Sequence, residues 1–233
     1  MKKTLLYLLG ILVFTSCSTY PYAFHLEETS GITSKKKIVV MPLNLSIESK
    51  YTKIDRVNKT VIDSVERKLR SYHFEVVSNE LIKHDMDSLK ESYGGFFSSK
   101  TGKADTSKVN SFYKNSMDFV IKKYDVTSIL IPYLIVQNAR IENHAINWHG
   151  RSVYSFRVGN ATGNMPALSL YINIYDKNRK LIFDNAGGIQ PLSKLNFLKF
   201  ESISEDELLA DPKDLSEAIK IVFEPVNERF YRK

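Results

Sequence analysis

The feature that most restricts the fold of this chain is a strand–helix–strand succession near the start of its folded part. Ile38–Leu43 is a short apolar run rich in β-branched residues, which is typical of a strand buried on both faces. Apolar residues then recur every three or four positions from Ile54 to Tyr72, which predicts an amphipathic helix, and Phe74–Val77 predicts a second strand. A helical crossover of this kind joins parallel strands with a right-handed connection, so the two strands should lie parallel in one sheet.

Helix and strand patterns in the remainder of the chain complete the predicted fold. Pro132 lacks a backbone N–H, so we expect the strand that contains it to lie at an edge or to form a bulge there. The predicted fold class is α/β, with a mixed β-sheet that begins as a parallel βαβ unit, continues as an antiparallel C-terminal meander and is flanked by about four helices. The further helices are predicted at residues 82–93, 109–124 and 212–230, and the further strands at 129–136, 153–158, 168–174 and 180–183.

The N-terminus carries the pattern of an export signal. Lys2 and Lys3 precede the apolar run Leu5–Phe14, which is shorter than the ~20 residues that a membrane-spanning helix needs. The only cysteine, Cys17, stands at the end of this pattern, and Val13–Cys17 resembles a bacterial lipobox. The resemblance implies that Cys17 becomes the lipidated first residue of the mature protein. The alternative is an ordinary cleaved signal peptide with an incidental cysteine.

The predicted lipid anchor sets the domain boundaries. Residues 1–16 are the predicted lipoprotein signal peptide, residues 17–36 are the lipidated cysteine with a flexible tether, and residues 37–233 are a single α/β domain. Ser18 follows the cysteine, where retention in the inner membrane prefers aspartate. The resemblance therefore implies attachment to the outer membrane, with the domain facing the periplasm.

Composition agrees with one globular domain and excludes several classes of protein. Of the 233 residues, 43% are apolar and 25% are charged, which is typical of a folded domain. The formal charge of +7 falls to +5 when Lys2 and Lys3 leave with the signal peptide, and this dispersed charge does not indicate nucleic-acid binding. A single cysteine excludes both an intrachain disulfide and a four-cysteine zinc site.

The sequence contains no hydrolase nucleophile elbow, phosphate-binding loop, dinucleotide fingerprint or zincin helix. His84 and Asp87 would share one face of a helix, but two ligands do not complete a metal site. We therefore expect a protein that is not an enzyme and that needs neither a metal nor a cofactor. The alternative is an envelope hydrolase or metalloenzyme that uses His84, or His144 and His149.

Two aromatic segments are candidates for partner binding. Trp148 is the only tryptophan and stands beside His149, and Phe96 and Phe97 are adjacent in a loop that begins with glycines. Aromatic residues dominate many protein–protein interfaces, so these four residues are the predicted partner-binding residues. The alternative for both segments is packing onto their own domain.

The order of these elements behind a lipobox resembles that of a superfamily of bacterial envelope proteins. The matching segments are Lys37–Leu43 as the first strand, the transition Tyr72–Leu81 and the hairpin Leu168–Gly188. This superfamily contains the N-terminal domain of the Tol–Pal translocation protein, the lipoprotein activators of penicillin-binding proteins and the curli secretion channel. The resemblance implies an α/β domain with a role in the cell envelope.

These observations lead to one main functional hypothesis and one further alternative. The main hypothesis is a lipid-anchored periplasmic protein-interaction module, a non-catalytic scaffold or regulator in envelope assembly. Its partners would be the bacterial membrane through the lipid anchor, another envelope protein and further copies of itself. The further alternative is a subunit of an oligomeric secretion pore that resembles the curli channel.

Overall fold

A mixed β-sheet with helices on both faces forms the described part of the chain. The computed structural model describes residues 37–43, 55–96, 105–155, 162–196 and 199–231. The α/β class and the mixed sheet predicted from the sequence are confirmed. The helices of the described residues are α1 (Asp55–Ser71), α2 (Asn79–Ser92), α3 (Thr106–Tyr124) and α4 (Pro212–Tyr231). Their strands are β1 (Lys37–Val40), β2 (Glu75–Val77), β3 (Ser128–Glu142), β4 (Ala145–Trp148), β5 (Arg151–Tyr154), β6 (Gly163–Asp176), β7 (Leu181–Pro191), β8 (Ser193–Asn196) and β9 (Lys199–Ser202).

Strand β3 organises the sheet because it has neighbours along both edges. β1 lies parallel to both β2 and β3, which confirms the parallel βαβ start. β6 runs antiparallel to β3 along one edge, from the pair Ser128 and Asp176 to the pair Ile141 and Gly163, and β7 follows β6. β1 and β4 both pair with the other edge of β3, β1 near its start and β4 near its end. β5 pairs with β4. β8 and β9 form a separate two-stranded sheet that the sequence did not predict.

Pro132 lies in β3 immediately beyond the residues that pair with β1. The Leu130 oxygen accepts a hydrogen bond from the Met41 amide at 2.9 Å, so Leu130 presents its backbone groups to the β1 edge. Alternate residues of a strand present these groups to the same edge, and Pro132 therefore faces that edge where β1 has ended. Because β1 does not reach this position, the N–H that Pro132 lacks would have had no acceptor on β1. This position agrees with the predicted edge location, although β3 as a whole is a central strand.

The two faces of the sheet carry different side chains. We call face A the face covered by α1 and α4, and face B the face on which α2 and α3 pack. Burial of each large apolar side chain on face A stabilises the fold by roughly 1.5–3 kcal/mol. Between residues 168 and 174, β6 presents only apolar residues to face A: Leu168, Leu170, Ile172 and Ile174. Because side chains alternate along a strand, β6 presents a polar and aromatic set to face B: Ser169, Tyr171, Asn173 and Tyr175.

Two tight turns connect β3, β4 and β5. Asn143 and His144 have φ angles of +51° and +62°, and His149 and Gly150 have φ angles of +36° and +71°. Positive φ at both central residues defines the hairpin turn whose twist matches that of the strands. His144 and His149 therefore lie in the turns at opposite ends of β4. Ile146 and Trp148 point to one side of β4, where they join a small apolar cluster with Ala139, Met165 and Ala167.

Several sequence predictions fall outside the described residues. The signal peptide, the lipidated Cys17, the tether 17–36 and Phe97 are among them. None of the four described helices combines the length and the hydropathy that a membrane-spanning helix requires.

Candidate partner-binding surface

Four aromatic side chains meet where the end of α2 approaches the start of α3. The ring centroids of Phe96 and Phe112 are 5.0 Å apart, and those of Tyr93 and Phe112 are 5.6 Å apart. The Phe112 and Tyr113 centroids are separated by 5.7 Å, and most of these pairs adopt tilted or edge-to-face geometry. Each ring is half-buried, so part of each remains on the surface. We call Tyr93, Phe96, Phe112 and Tyr113 the aromatic cluster.

The backbone after α2 places Phe96 in the aromatic cluster. Gly94 and Gly95 have φ angles of +64° and +91°, a region that residues with a Cβ rarely adopt. The Phe96 oxygen then accepts a hydrogen bond from the Asp105 amide at 2.7 Å. Asp105 also caps α3, since its carboxylate accepts from the Lys108 amide at 3.1 Å. The ends of both helices therefore fix the position of the cluster.

Phe96 has features of both predicted alternatives for its loop, partner binding and packing onto its own domain. It packs onto its own domain through Phe112, and it also keeps part of its ring exposed. Tyr93, Phe112 and Tyr113 fall within the helices predicted at residues 82–93 and 109–124, and none of them was among the predicted partner-binding residues. The sequence did contain a signal for a partly exposed ring. Phe112 and Tyr113 are adjacent, and two adjacent residues of a helix cannot both point straight to the core.

Aromatic contacts extend from the cluster onto face B. Burial raises the pKa of the Tyr113 hydroxyl, and nearby Tyr133 of β3 adds to this effect. The rings of Tyr133 and Tyr171 lie edge to face with centroids 6.2 Å apart. Tyr171 donates its hydroxyl to the Asp184 carboxylate at 2.7 Å. Burial, with this hydrogen bond second, raises the pKa of Tyr171, so its phenol is protonated at neutral pH and acts as a donor.

Trp148 and His149, which were predicted to bind a partner, are buried in their own domain. Trp148 is 2% exposed and donates its indole N–H to the Leu168 oxygen at 3.1 Å. His149 is 5% exposed, and burial lowers its pKa to about 4. A partner-binding residue has to be exposed, so these positions disagree with the partner-binding interpretation and agree with the packing alternative.

Gly188 allows Trp148 to pack closely against β7. A Cβ atom on Gly188 would lie 2.7 Å from Cε2 and Nε1 of Trp148, which leaves no room for a larger residue. The Gly188 amide donates to the His149 oxygen at 3.1 Å. The Arg151 guanidinium binds the Asp214 carboxylate at the start of α4 and also contacts the Gly188 oxygen at 3.4 Å. The β4–β5 turn is thereby fixed to both β7 and α4.

The histidine clusters do not come together as a site. His84 is exposed on α2, whereas His144 and His149 are separated by the length of β4, about 13 Å for a four-residue strand. Among the residues that the structure describes, no group of three or more His, Cys, Asp or Glu side chains is arranged to hold a metal ion.

Asp85, the neighbour of His84, instead joins two helices. Its carboxylate accepts hydrogen bonds from the Lys123 ammonium at 2.6 Å and from the Tyr124 hydroxyl at 2.5 Å. These bonds lower the pKa of Asp85. Burial together with the Asp85 carboxylate raises the pKa of Tyr124 to about 12. The contact fastens α2 to α3 and so supports the aromatic cluster between them.

Comparison with known proteins yields distant structural similarity alone. No protein-family model and no curated protein matches the chain. Among solved structures, the chain is similar to the lipoprotein GNA1162 from Neisseria meningitidis, with 10% identical residues and a TM-score of 0.38. The similarity covers 85% of this chain and 99% of that one. A similarity this distant does not assign the chain to a family.

Proposed function

We propose that this protein is a lipid-anchored module of the bacterial envelope that binds another envelope protein through the aromatic cluster. The observation that carries the proposal is the half-exposed state of the four rings, which leaves apolar surface available at a fixed place on the domain. Aromatic side chains of this kind contribute much of the binding energy in protein–protein interfaces. The role is that of a non-catalytic scaffold or regulator.

The N-terminal sequence supports the membrane part of the proposal. Cys17 would carry the lipid, and each buried methylene of an acyl chain contributes about 0.8 kcal/mol of membrane binding. A flexible tether of residues 17–36 would extend over about 25 Å. Such an anchor confines the search for a partner to the membrane surface and raises the effective concentration of both proteins. Ser18 favours the outer membrane, with the domain in the periplasm.

Site-specific photo-crosslinking in living cells tests the partner-binding part. A photoreactive residue at position 96 should give a discrete adduct with an envelope protein. The same residue in place of exposed Lys220 on α4, on the other face of the domain, should not. Equal adducts from both positions, or none from position 96, would contradict the proposal.

A matched pair of aromatic substitutions sharpens this test. Phe112→Ala removes the central ring of the cluster and should abolish the adduct at position 96. Phe200→Ala removes a ring of β9 that is 49% exposed and lies outside the cluster, and it should leave the adduct unchanged. Circular dichroism of both variants separates loss of binding from loss of the fold.

A further inference from the structure

The starts of three strands lie together at one end of the sheet. Lys37 begins β1 and is opposite Glu75, which begins β2. Ile38 is opposite Ser128, which begins β3, and Ser128 is opposite Asp176, which ends β6. Because α1 and α3 each end four residues before the strand that follows, their last turns lie at this end as well. The turn between β6 and β7 is also there.

This end of the domain carries an excess of positive charge. It is formed by residues 37, 66–75, 118–125 and 176–180, together with Asp85, which pairs with Lys123. We call these residues the basic end, because they include nine basic and six acidic side chains. Lys35 and Lys36 directly precede β1 and add two further positive charges. The basic side chains are Lys37, Arg67, Lys68, Arg70, Lys122, Lys123, Lys177, Arg179 and Lys180, and the acidic ones are Glu66, Glu75, Asp85, Asp118, Asp125 and Asp176.

The ion pairs of the basic end leave several lysines available. Glu66, Glu75 and Asp118 each pair with a basic residue of the same end. Lys122 and Lys177 are exposed, and neither forms an ion pair with a residue that the structure describes. Their ammonium groups can therefore approach an anionic surface outside the domain without breaking a contact within it.

An acidic segment lies at the opposite end of the domain. Residues 201–217, which we call the acidic segment, contain seven acidic residues and one lysine. The Arg56 guanidinium donates to the backbone oxygens of Glu205 and Leu208 at 3.2 and 2.9 Å. Arg56 lies at the start of α1 and Arg70 at its end, about 21 Å apart along the helix axis. Positive and negative charge are therefore separated along the length of the domain.

The predicted tether joins the domain at the basic end. Residues 17–36 precede Lys37, the first residue of β1, so a lipid at Cys17 would hold this end within about 25 Å of the membrane. Exposed charges attract one another strongly only within about 8 Å at physiological salt. A tether of this length allows the basic end to approach that closely. It also leaves the acidic segment on the side away from the membrane.

We propose that the basic end docks on an anionic lipid surface and so orients the domain on the membrane. The proposal rests on the lipid anchor of the proposed function, which brings the domain to the membrane. Each lysine or arginine close to such a surface strengthens binding about fivefold. Phe112 of the aromatic cluster and Tyr124 at the end of α3 are about 18 Å apart along the helix. The docked orientation therefore keeps the aromatic cluster away from the lipid headgroups and open to a partner.

Vesicle binding of the full-length Cys17→Ser protein tests the docking without the lipid. The protein is sedimented with vesicles of phosphatidylcholine, or with vesicles of an equal mixture of phosphatidylcholine and phosphatidylglycerol. We expect stronger binding to the anionic mixture, and we expect this preference to fall as salt is added. The apolar run of the signal peptide contributes equally to both kinds of vesicle, so the difference between them reports charge.

A matched pair of double variants locates the contact. Lys122→Glu with Lys177→Glu reverses two charges of the basic end and should weaken binding to the anionic vesicles at least about twentyfold. Lys213→Glu with Lys220→Glu makes the same change in net charge on the first half of α4, and both lysines are exposed. These positions lie away from the basic end, so binding should weaken no more than about twofold. Circular dichroism confirms that each variant is folded.

Three outcomes would overturn the proposal. One is equal binding to neutral and anionic vesicles, and another is equal weakening by the two double variants. The third is a salt-sensitive dimer that forms without vesicles while the anionic vesicles remain unbound, which would mean that the basic end binds the acidic segment of a second copy. Because the tested protein lacks the cysteine, these results are separate from any test of the lipid at Cys17.

Discussion

The side-chain amide of Asn185 replaces the backbone donor that Pro225 lacks. In an α-helix the oxygen of residue 221 accepts from the amide of residue 225, and proline has no amide hydrogen. Asn185 of β7 donates to the Ile221 oxygen at 3.3 Å and to the Val222 oxygen at 2.9 Å. α4 continues through Pro225 to Tyr231, and Val226, directly after the proline, still packs on face A.

The first prediction is that Asn185 and Pro225 are energetically coupled. Asn185→Ala should lower the free energy of unfolding by about 1–3 kcal/mol, because it leaves helix carbonyls without a donor. In a Pro225→Ala background the backbone amide is restored, and Asn185→Ala should then cost less. Urea denaturation of the two single variants and the double variant gives the coupling energy directly. Equal costs of Asn185→Ala in both backgrounds would show that the two residues act independently.

The second prediction concerns the contact between Trp148 and Gly188. Gly188→Ala places a methyl group 2.7 Å from the indole and should lower the free energy of unfolding by about 1–3 kcal/mol. The emission of Trp148 should also change, because the indole has to shift. Ser152→Ala on the exposed side of β5 is the control. It should change the free energy of unfolding by no more than about 0.5 kcal/mol and should leave the emission of Trp148 unchanged. A fully stable Gly188→Ala protein with native emission would contradict the packing described here.

The third prediction is a loss of stability in mild acid caused by His149. Burial lowers the pKa of His149 from 6.5 to about 4. Above pH 6.5 both the folded and the unfolded chain hold it neutral. As the pH falls from 6.5 towards 4, only the unfolded chain takes up the proton, so the free energy of unfolding decreases. The total loss approaches about 3 kcal/mol once the pH is below both pKa values.

His149→Asn isolates this effect from the titration of carboxylates. Asparagine does not titrate, and Asn-Gly is the favoured sequence for the turn that His149 and Gly150 form. Between about pH 7.5 and about pH 5.5, the wild-type protein should lose about 1 kcal/mol more than the variant in urea denaturation. Identical pH profiles of the two proteins would exclude a depressed pKa at His149.

The fourth prediction concerns the buried hydroxyl of Ser169 on β6. Ser169→Ala removes a fully buried hydroxyl that makes no hydrogen bond to any residue that the structure describes, and it should raise the free energy of unfolding by about 1 kcal/mol. The hydroxyls of exposed serines carry no such cost, so Ser107→Ala on α3 should be close to neutral. A destabilised Ser169→Ala protein would mean that the hydroxyl already has a stabilising partner.

Much of the fold was predictable because it depends on local periodicity. The spacing of Val57, Val61 and Val65 located α1, and the alternation from Leu168 to Ile174 located β6. β7 proved longer than predicted. Its consecutive glycines look unfavourable for a strand, yet Gly188 accommodates Trp148, and Gly187 lies against the backbone of α4. Such close approaches involve residues far apart in the chain, and a local pattern does not contain them.

The candidate surface was predictable only in part, for the same reason. Phe96 was recognised because it lies in a glycine-containing loop, but its partner Phe112 belongs to another helix. The burial of Trp148 depends on the path of the β4–β5 hairpin over β7. Aromatic composition alone does not distinguish an exposed ring from a buried one.

The proposed function depends on a lipid at Cys17 that holds the domain at the membrane. The decisive experiment is metabolic labelling of cells with radioactive palmitate, followed by isolation of the protein and membrane fractionation. We expect label in the wild-type protein and its recovery with the outer membrane, and we expect neither for Cys17→Ser. A wild-type protein without label, or a Cys17→Ser protein that is labelled and fractionates like the wild type, would contradict the claim.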